Sequence, residues 1–90
     1  MIIIKLNPQK TGLVLGSLAA LMHLLWSLMV AMGLAQWWMD WVFSLHFLNN
    51  PFTVGSFDIV TALILIVVTG IVGFVVGWVF STIWNYWQKK

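Results

Sequence analysis

Ninety residues allow one small domain, and 62% of them are hydrophobic against 7% charged, where soluble chains carry about a quarter charged. With a mean hydropathy of +1.03, a water-soluble fold is excluded: a chain this small buries only about 60% of its unfolded surface, and lipid has to cover the remainder. The net charge of +2 comes from Lys5, Lys10, Lys89 and Lys90 against Asp40 and Asp58, so the basic stripe of a nucleic-acid surface is missing, and with no cysteine there is neither disulfide nor thiolate chemistry.

The lead-in holds Ile2-Ile3-Ile4, then Lys5 and the Asn7-Pro8 pair. Asn is a good N-cap and Pro is preformed for the first helical position, so a helix is expected to begin near Asn7. Ile2 to Ile4 should meet the membrane surface, with Lys5 and Lys10 reaching the headgroups. The segment itself reads as a solvated, half-ordered terminus.

The first span is expected over about 12–35. Leu13 to Ala35 carries no charge and would measure roughly 35 Å as a helix, against a hydrocarbon core of about 30 Å. Lys5, Lys10 and Gly33-Leu34-Ala35 imitate a signal peptide, but the apolar run exceeds the usual core of about 7–15 residues. It reads as a retained span. Gly12, Gly16 and Ala20 recur at fours, and beside them run Ala19, His23, Ser27, Ala31 and Ala35. At about 100° per residue the two rows merge into one small or polar stripe. In lipid, where small residues let backbones approach, that stripe should face protein.

Over 36–48, Trp37, Trp38 and Trp41 form an aromatic belt with Leu45 and Leu48 on one side, and Gln36, Asp40 and Ser44 lie opposite. The stretch is too short to cross. It reads as a short helix lying in the interface, with a straight continuation of the first helix as the alternative. Asn49-Asn50-Pro51 and Gly55-Ser56 break the pattern, and Ser56 or Asp58 can cap the next helix.

The second span is expected over about 59–81. Gly70, Gly73, Gly77 and Ser81, with Ala62 and Thr69, form a second small stripe. Trp78, Trp84, Tyr86 and Trp87 gather towards the interface, Trp84 and Trp87 completing the belt before Lys89 and Lys90. All four lysines flank the hairpin and none lies in its loop, which places both termini in the cytoplasm. The fold class is therefore all-α: one integral-membrane domain over 1–90, built as a helical hairpin of two transmembrane helices.

The chain resembles small two-span bacterial membrane proteins of uncharacterised function. The resemblance rests on Leu6-Asn7, Trp26, the run Val68-Thr69-Gly70-Ile71-Val72-Gly73, and Trp84-Asn85. It implies the inner membrane of a bacterium and no particular activity. Some proteins of that kind carry an acid where Thr69 stands, so no role tied to a buried carboxylate carries over.

His23 is the one titratable group at mid-membrane depth, which makes it a functional candidate. As a neutral hydrogen-bonding residue it would link the helices, through Ser27 or Thr69. As an axial ligand it would hold a tetrapyrrole metal. Ala19-x-x-x-His23 followed by Leu24-Leu25-Trp26 is similar to the pigment-ligating stretch of bacterial light-harvesting polypeptides, which have one span. On the outer side, Asp40, Ser44, His46, Ser56 and Asp58 match no catalytic or metal spacing. With no Arg or Glu, the chain is expected not to be an enzyme. Three readings follow: a helix-packing accessory subunit, small regulator or homo-oligomer in the bilayer; a cofactor subunit using His23; and a holin-like pore-former. The first is preferred, with no cofactor.

Overall fold

A computed structural model describes residues 4–88, which form three helices and no strand: α1 (Pro8–Ala31), α2 (Ala35–Leu45) and α3 (Ile59–Gln88). α1 and α3 pack antiparallel along their length, and α2 packs on α1 alone. The molecule is a flat body of 49 × 34 × 16 Å. At 1.5 Å per residue the two long helices measure about 36 and 45 Å, enough for either to cross a hydrocarbon core of about 30 Å.

Each helix begins and ends for a chemical reason. Asn7 stands in extended conformation and its Oδ1 accepts from the Lys10 amide at 3.1 Å, with Pro8 opening the first turn. α1 then stops at Ala31. Gly33 takes φ +76°, its amide donates to Val30, and the Leu34 amide donates to Met29 at 2.8 Å. This is the Schellman arrangement, which satisfies the last carbonyls and turns the chain away. The expected span to Ala35 is therefore too long at its end, and the straight continuation into 36–48 does not occur. Ala35 instead opens α2 and is 1% exposed, whereas Ala31 is exposed.

α2 closes with the same motif at Phe47, whose φ is +61°: Phe47 donates to Ser44 and Leu48 to Phe43. A bulky residue thus occupies the position glycine holds after α1. α3 starts on Asp58, whose backbone carbonyl accepts from Ala62 and whose carboxylate accepts from Thr61. It runs to Gln88, beyond the expected end near 81, because Trp84, Asn85, Tyr86 and Trp87 continue the helix.

The core is a seam of small residues. Gly12, Gly16 and Ser27 are buried on α1, and Ala62, Gly73, Gly77 and Ser81 on α3. Large apolar side chains point outward on both helices, from Leu13 and Val14 to Val79 and Ile83. The accessible surface is 7066 Å², against about 5,300 Å² for a soluble protein of this mass. The excess is largely apolar.

Candidate functional site

The seam is built by backbone approach. A Cβ placed on Gly16 would lie 2.7 Å from the Gly70 carbonyl oxygen, and one on Gly12 would lie 2.8 Å from that of Phe74. Reciprocally, a Cβ on Gly73 would lie 2.7 Å from the Leu15 carbonyl and one on Gly77 2.7 Å from that of Thr11. On each glycine a Cα–H bond therefore points at a carbonyl of the facing helix, the geometry of weak Cα–H···O contact. Gly70 is looser, with Ala20 Cβ 3.6 Å from its Cβ position. Ser27 is buried beside Ala62 and the start of α3. Ser81 is fully buried, its hydroxyl donating to Trp78 of its own helix at 2.9 Å.

His23 does not form the expected bond across the bundle. Its Nδ1 lies 2.8 Å from the Ala19 carbonyl oxygen, one turn earlier in α1. A carbonyl only accepts, so Nδ1 carries a proton. Thr69 behaves alike, donating to Leu65 and Ile66 of α3. Both side chains find the i−4 carbonyl of their own helix before any partner, as hydroxyls in apolar helices commonly do. His23 lines a groove of about 640 Å³ with Met22, Trp26, Met29, Trp38 and Leu65. Ala19, by contrast, faces α3: its Cβ is 3.0 Å from the Cβ position of Gly73. The space one turn before His23 belongs to the seam.

The outer polar residues are engaged locally. Asp40 Oδ1 accepts from Gln36 at 3.0 Å and from Asn50 at 2.8 Å. Ser44 donates to Trp41, and His46 Nδ1 donates to Val42. The Thr61 hydroxyl, followed by its amide, holds the Asp58 carboxyl below the usual aspartate range. No group of three metal-binding side chains exists among the described residues. In the first half of α2 Trp41 stacks on Trp37, with centroids 6.4 Å apart, and meets Trp38 at a tilt, with centroids 5.5 Å apart, and all three remain exposed. At the other end Trp87 is 65% exposed, whereas Trp84 donates its indole N–H to the Ile4 carbonyl at 2.8 Å.

That last bond belongs to a clamp the sequence did not announce. Asn85 Oδ1 accepts from the Leu6 amide at 2.8 Å and its Nδ2 donates to the Leu6 carbonyl at 2.8 Å. One carboxamide thus replaces a neighbouring strand, pairing both peptide groups of a residue that lies outside any helix. At Ile4 and Leu6 the lead-in is fastened to the end of α3, contrary to the solvated tail expected. The expectation for Ile2 and Ile3 lies outside the described residues. Gln36 repeats the device at the opposite end, donating to the Phe52 carbonyl at 3.1 Å and accepting from the Val54 amide at 2.7 Å. The available signal was two carboxamides at the ends of apolar helices, where an unpaired amide is costly.

No protein family, curated protein or solved structure matches this chain.

Proposed function

We propose that the chain is a two-span membrane protein that works by docking, as an accessory subunit or small regulator of a larger membrane complex or as a homo-oligomer. One observation carries this reading: the glycine faces are used up by contact between α1 and α3, while Leu, Ile, Val and Met side chains cover the outside. A partner would therefore meet the bulky outer faces rather than the small-residue stripes. Of the outer polar side chains, Asp40, Ser44, His46 and Asp58 are each bonded to a near neighbour, which supports a non-enzymatic role. The closed seam leaves no lumen inside one hairpin, so a pore would need several copies.

The resemblance to small two-span bacterial membrane proteins supports the inner membrane of a bacterium as the location. Lys5 and Lys10 sit at the end where Leu6 meets Asn85, Lys89 and Lys90 follow in sequence, and Asp40 and Asp58 sit at the other end. This bias supports cytoplasmic termini. Reporter fusions at Lys90 and within 49–56 test the topology, and a periplasmic signal from Lys90 would overturn it. Extraction in mild detergent followed by mass determination tests the docking. A strictly monomeric particle with no co-purifying subunit would defeat the proposal.

The orientation of His23 favours a second reading. With Nδ1 tied to Ala19, the neutral tautomer would leave the lone pair on Nε2 of a ring that lines the groove, as in many metal-bound histidines. A tetrapyrrole would have to enter from the Trp26 and Trp38 side, because α3 fills the Ala19 side. His23→Asn decides between the readings. We expect no visible absorption band and a folded variant, since Asn can also bond the Ala19 carbonyl. A Soret or bacteriochlorophyll band lost on that substitution would promote the cofactor reading.

A further inference from the structure

We propose that the groove between α1 and α3 at the lysine end binds one anionic phospholipid, with its phosphate on Lys10 and an acyl chain along Val14, Leu15 and Phe80. The groove has a volume of about 440 Å³ and is lined by Lys10, Thr11, Val14, Leu15 and Phe80. Its floor is apolar and its mouth carries a cation. The walls are held in place. Phe80 stacks on Trp84 with centroids 6.1 Å apart, and Trp84 is fastened to the Ile4 carbonyl. On the other side Thr11 is pressed against Gly77 by the seam. A preformed groove binds with less ordering cost than a mobile one.

The charge pattern selects the occupant. No described residue pairs the Lys10 ammonium, because Asp40 is bonded to Gln36 and Asn50, and Asp58 to Thr61, at the opposite end. Lys5 lies between Ile4 and Leu6, both tied to α3, so a second cation is held at this end. A positive mouth over an apolar floor complements a lipid phosphate with its chain. A zwitterionic lipid gains less from the lysines, and a soluble anion gains nothing from the floor. Basic pockets at helix ends recognise anionic headgroups in this way.

The inference rests on the membrane reading, and the test separates the two. The full chain is reconstituted in phosphatidylcholine vesicles with added phosphatidylglycerol, floated, extracted in mild detergent, and its retained lipid measured by native mass spectrometry. Phosphatidylglycerol should be retained about fivefold over phosphatidylcholine, the weight of one lysine at ~1 kcal/mol. Lys10→Gln should bring the two lipids to parity, Lys10→Arg should keep the preference, and Val14→Trp should lower retention of both. Parity in the unmodified protein, or a preference that survives Lys10→Gln, overturns the site. Displacement of the lipid by glycerol phosphate alone overturns it too, in favour of a soluble-anion site. Failure to float with phosphatidylcholine vesicles defeats the membrane reading itself, and the lipid site with it.

Discussion

Replacing Gly73 by Ala asks whether backbone contact holds α1 against α3. The new Cβ would lie 2.7 Å from the Leu15 carbonyl oxygen, 2.9 Å from Gly16 Cα and 3.0 Å from Ala19 Cβ. Every obstacle is backbone or a Cβ, so none can rotate aside. Ordinary contact starts at 3.4 Å, and the helices must part by about 0.7 Å at this layer. A gap of that size forfeits a quarter to a half of each dispersion contact, and the Gly16/Gly70 and Gly12/Gly77 layers open with it. We expect a loss of about 1–3 kcal/mol, the usual range for overpacking. In water a gain of about 1 kcal/mol in helix propensity would offset part of this. In a bilayer the separated spans are helical already, so that gain appears on both sides and cancels. Gly70→Ala is the internal control, because its Cβ would meet Ala20 Cβ at 3.6 Å and the Gly16 carbonyl at 3.7 Å. It should stay within about 0.5 kcal/mol, as should Val75→Ile on the outer face. The assay is equilibrium unfolding from mild detergent into dodecyl sulfate, and Gly73→Ile should abolish the folded baseline. Equal losses for Gly70→Ala and Gly73→Ala would refute the reasoning.

Asn85→Ala removes both bonds to Leu6 and should cost about 1–2 kcal/mol of local stability, read as faster trypsin cleavage at Lys5. Unchanged cleavage there would mean that the clamp does not hold in the membrane. Phe47→Gly should stabilise the fold by about 1 kcal/mol, because it relieves a left-handed position that costs non-glycine residues about 1–2 kcal/mol. A loss of stability in the same unfolding assay would count against that account. The Asp58 cap forms with the ionised carboxylate, so its contribution is fully present above the ordinary value of about 3.9 and lost as pH falls through the lowered folded value. The Thr61 amide resonance should therefore titrate with a midpoint below about 3.9 and cease to titrate in Asp58→Asn. A midpoint above that value would contradict the bond.

The long helices were legible because their signals are local or periodic. Asn7-Pro8 and Asp58 are caps whose chemistry is complete within one turn, and the glycines of both stripes recur near every fourth residue. The end of α1 was not legible in the same way. Apolar content does not change across Gly33, and Ala31 and Ala35 happen to continue the four-residue spacing, so composition ran the span past a stop that only backbone geometry sets. α3 overran its expected end for the converse reason: Trp84, Asn85 and Trp87 read as interface residues, yet nothing in them breaks a helix. The lead-in was misjudged because Asn85 and Leu6 are far apart in sequence and their pairing has no periodicity. His23 stood out by its depth, but its choice of Ala19 over a partner helix depends on which acceptor lies nearest.

The distribution of these contacts follows the solvent that each part would meet in a bilayer. Along the middle of the spans, hydrogen bonding across the helices would bring little, because unfolded helices in lipid find partners as well. There His23 and Thr69 turn back on their own helices, and the joint is made by glycine backbones, which gain dispersion by closeness. Towards the ends the chain leaves helical geometry, and its peptide groups take partners from side chains or from water. Both irregular segments are paired by a carboxamide from a helix end, Asn85 for Leu6 and Gln36 for Phe52 and Val54. The two kinds of joint constrain each other. The Gly12/Gly77 contact fixes the register of α1 on α3, and that register brings Asn85 level with Leu6 rather than with a residue inside the helix. A one-turn slip would break the clamp, because it would carry Asn85 away from Leu6 and leave both of its peptide groups unpaired. The hairpin is therefore held in a single register, and a partner docking on its outer faces, as proposed, would meet a surface fixed before it arrives.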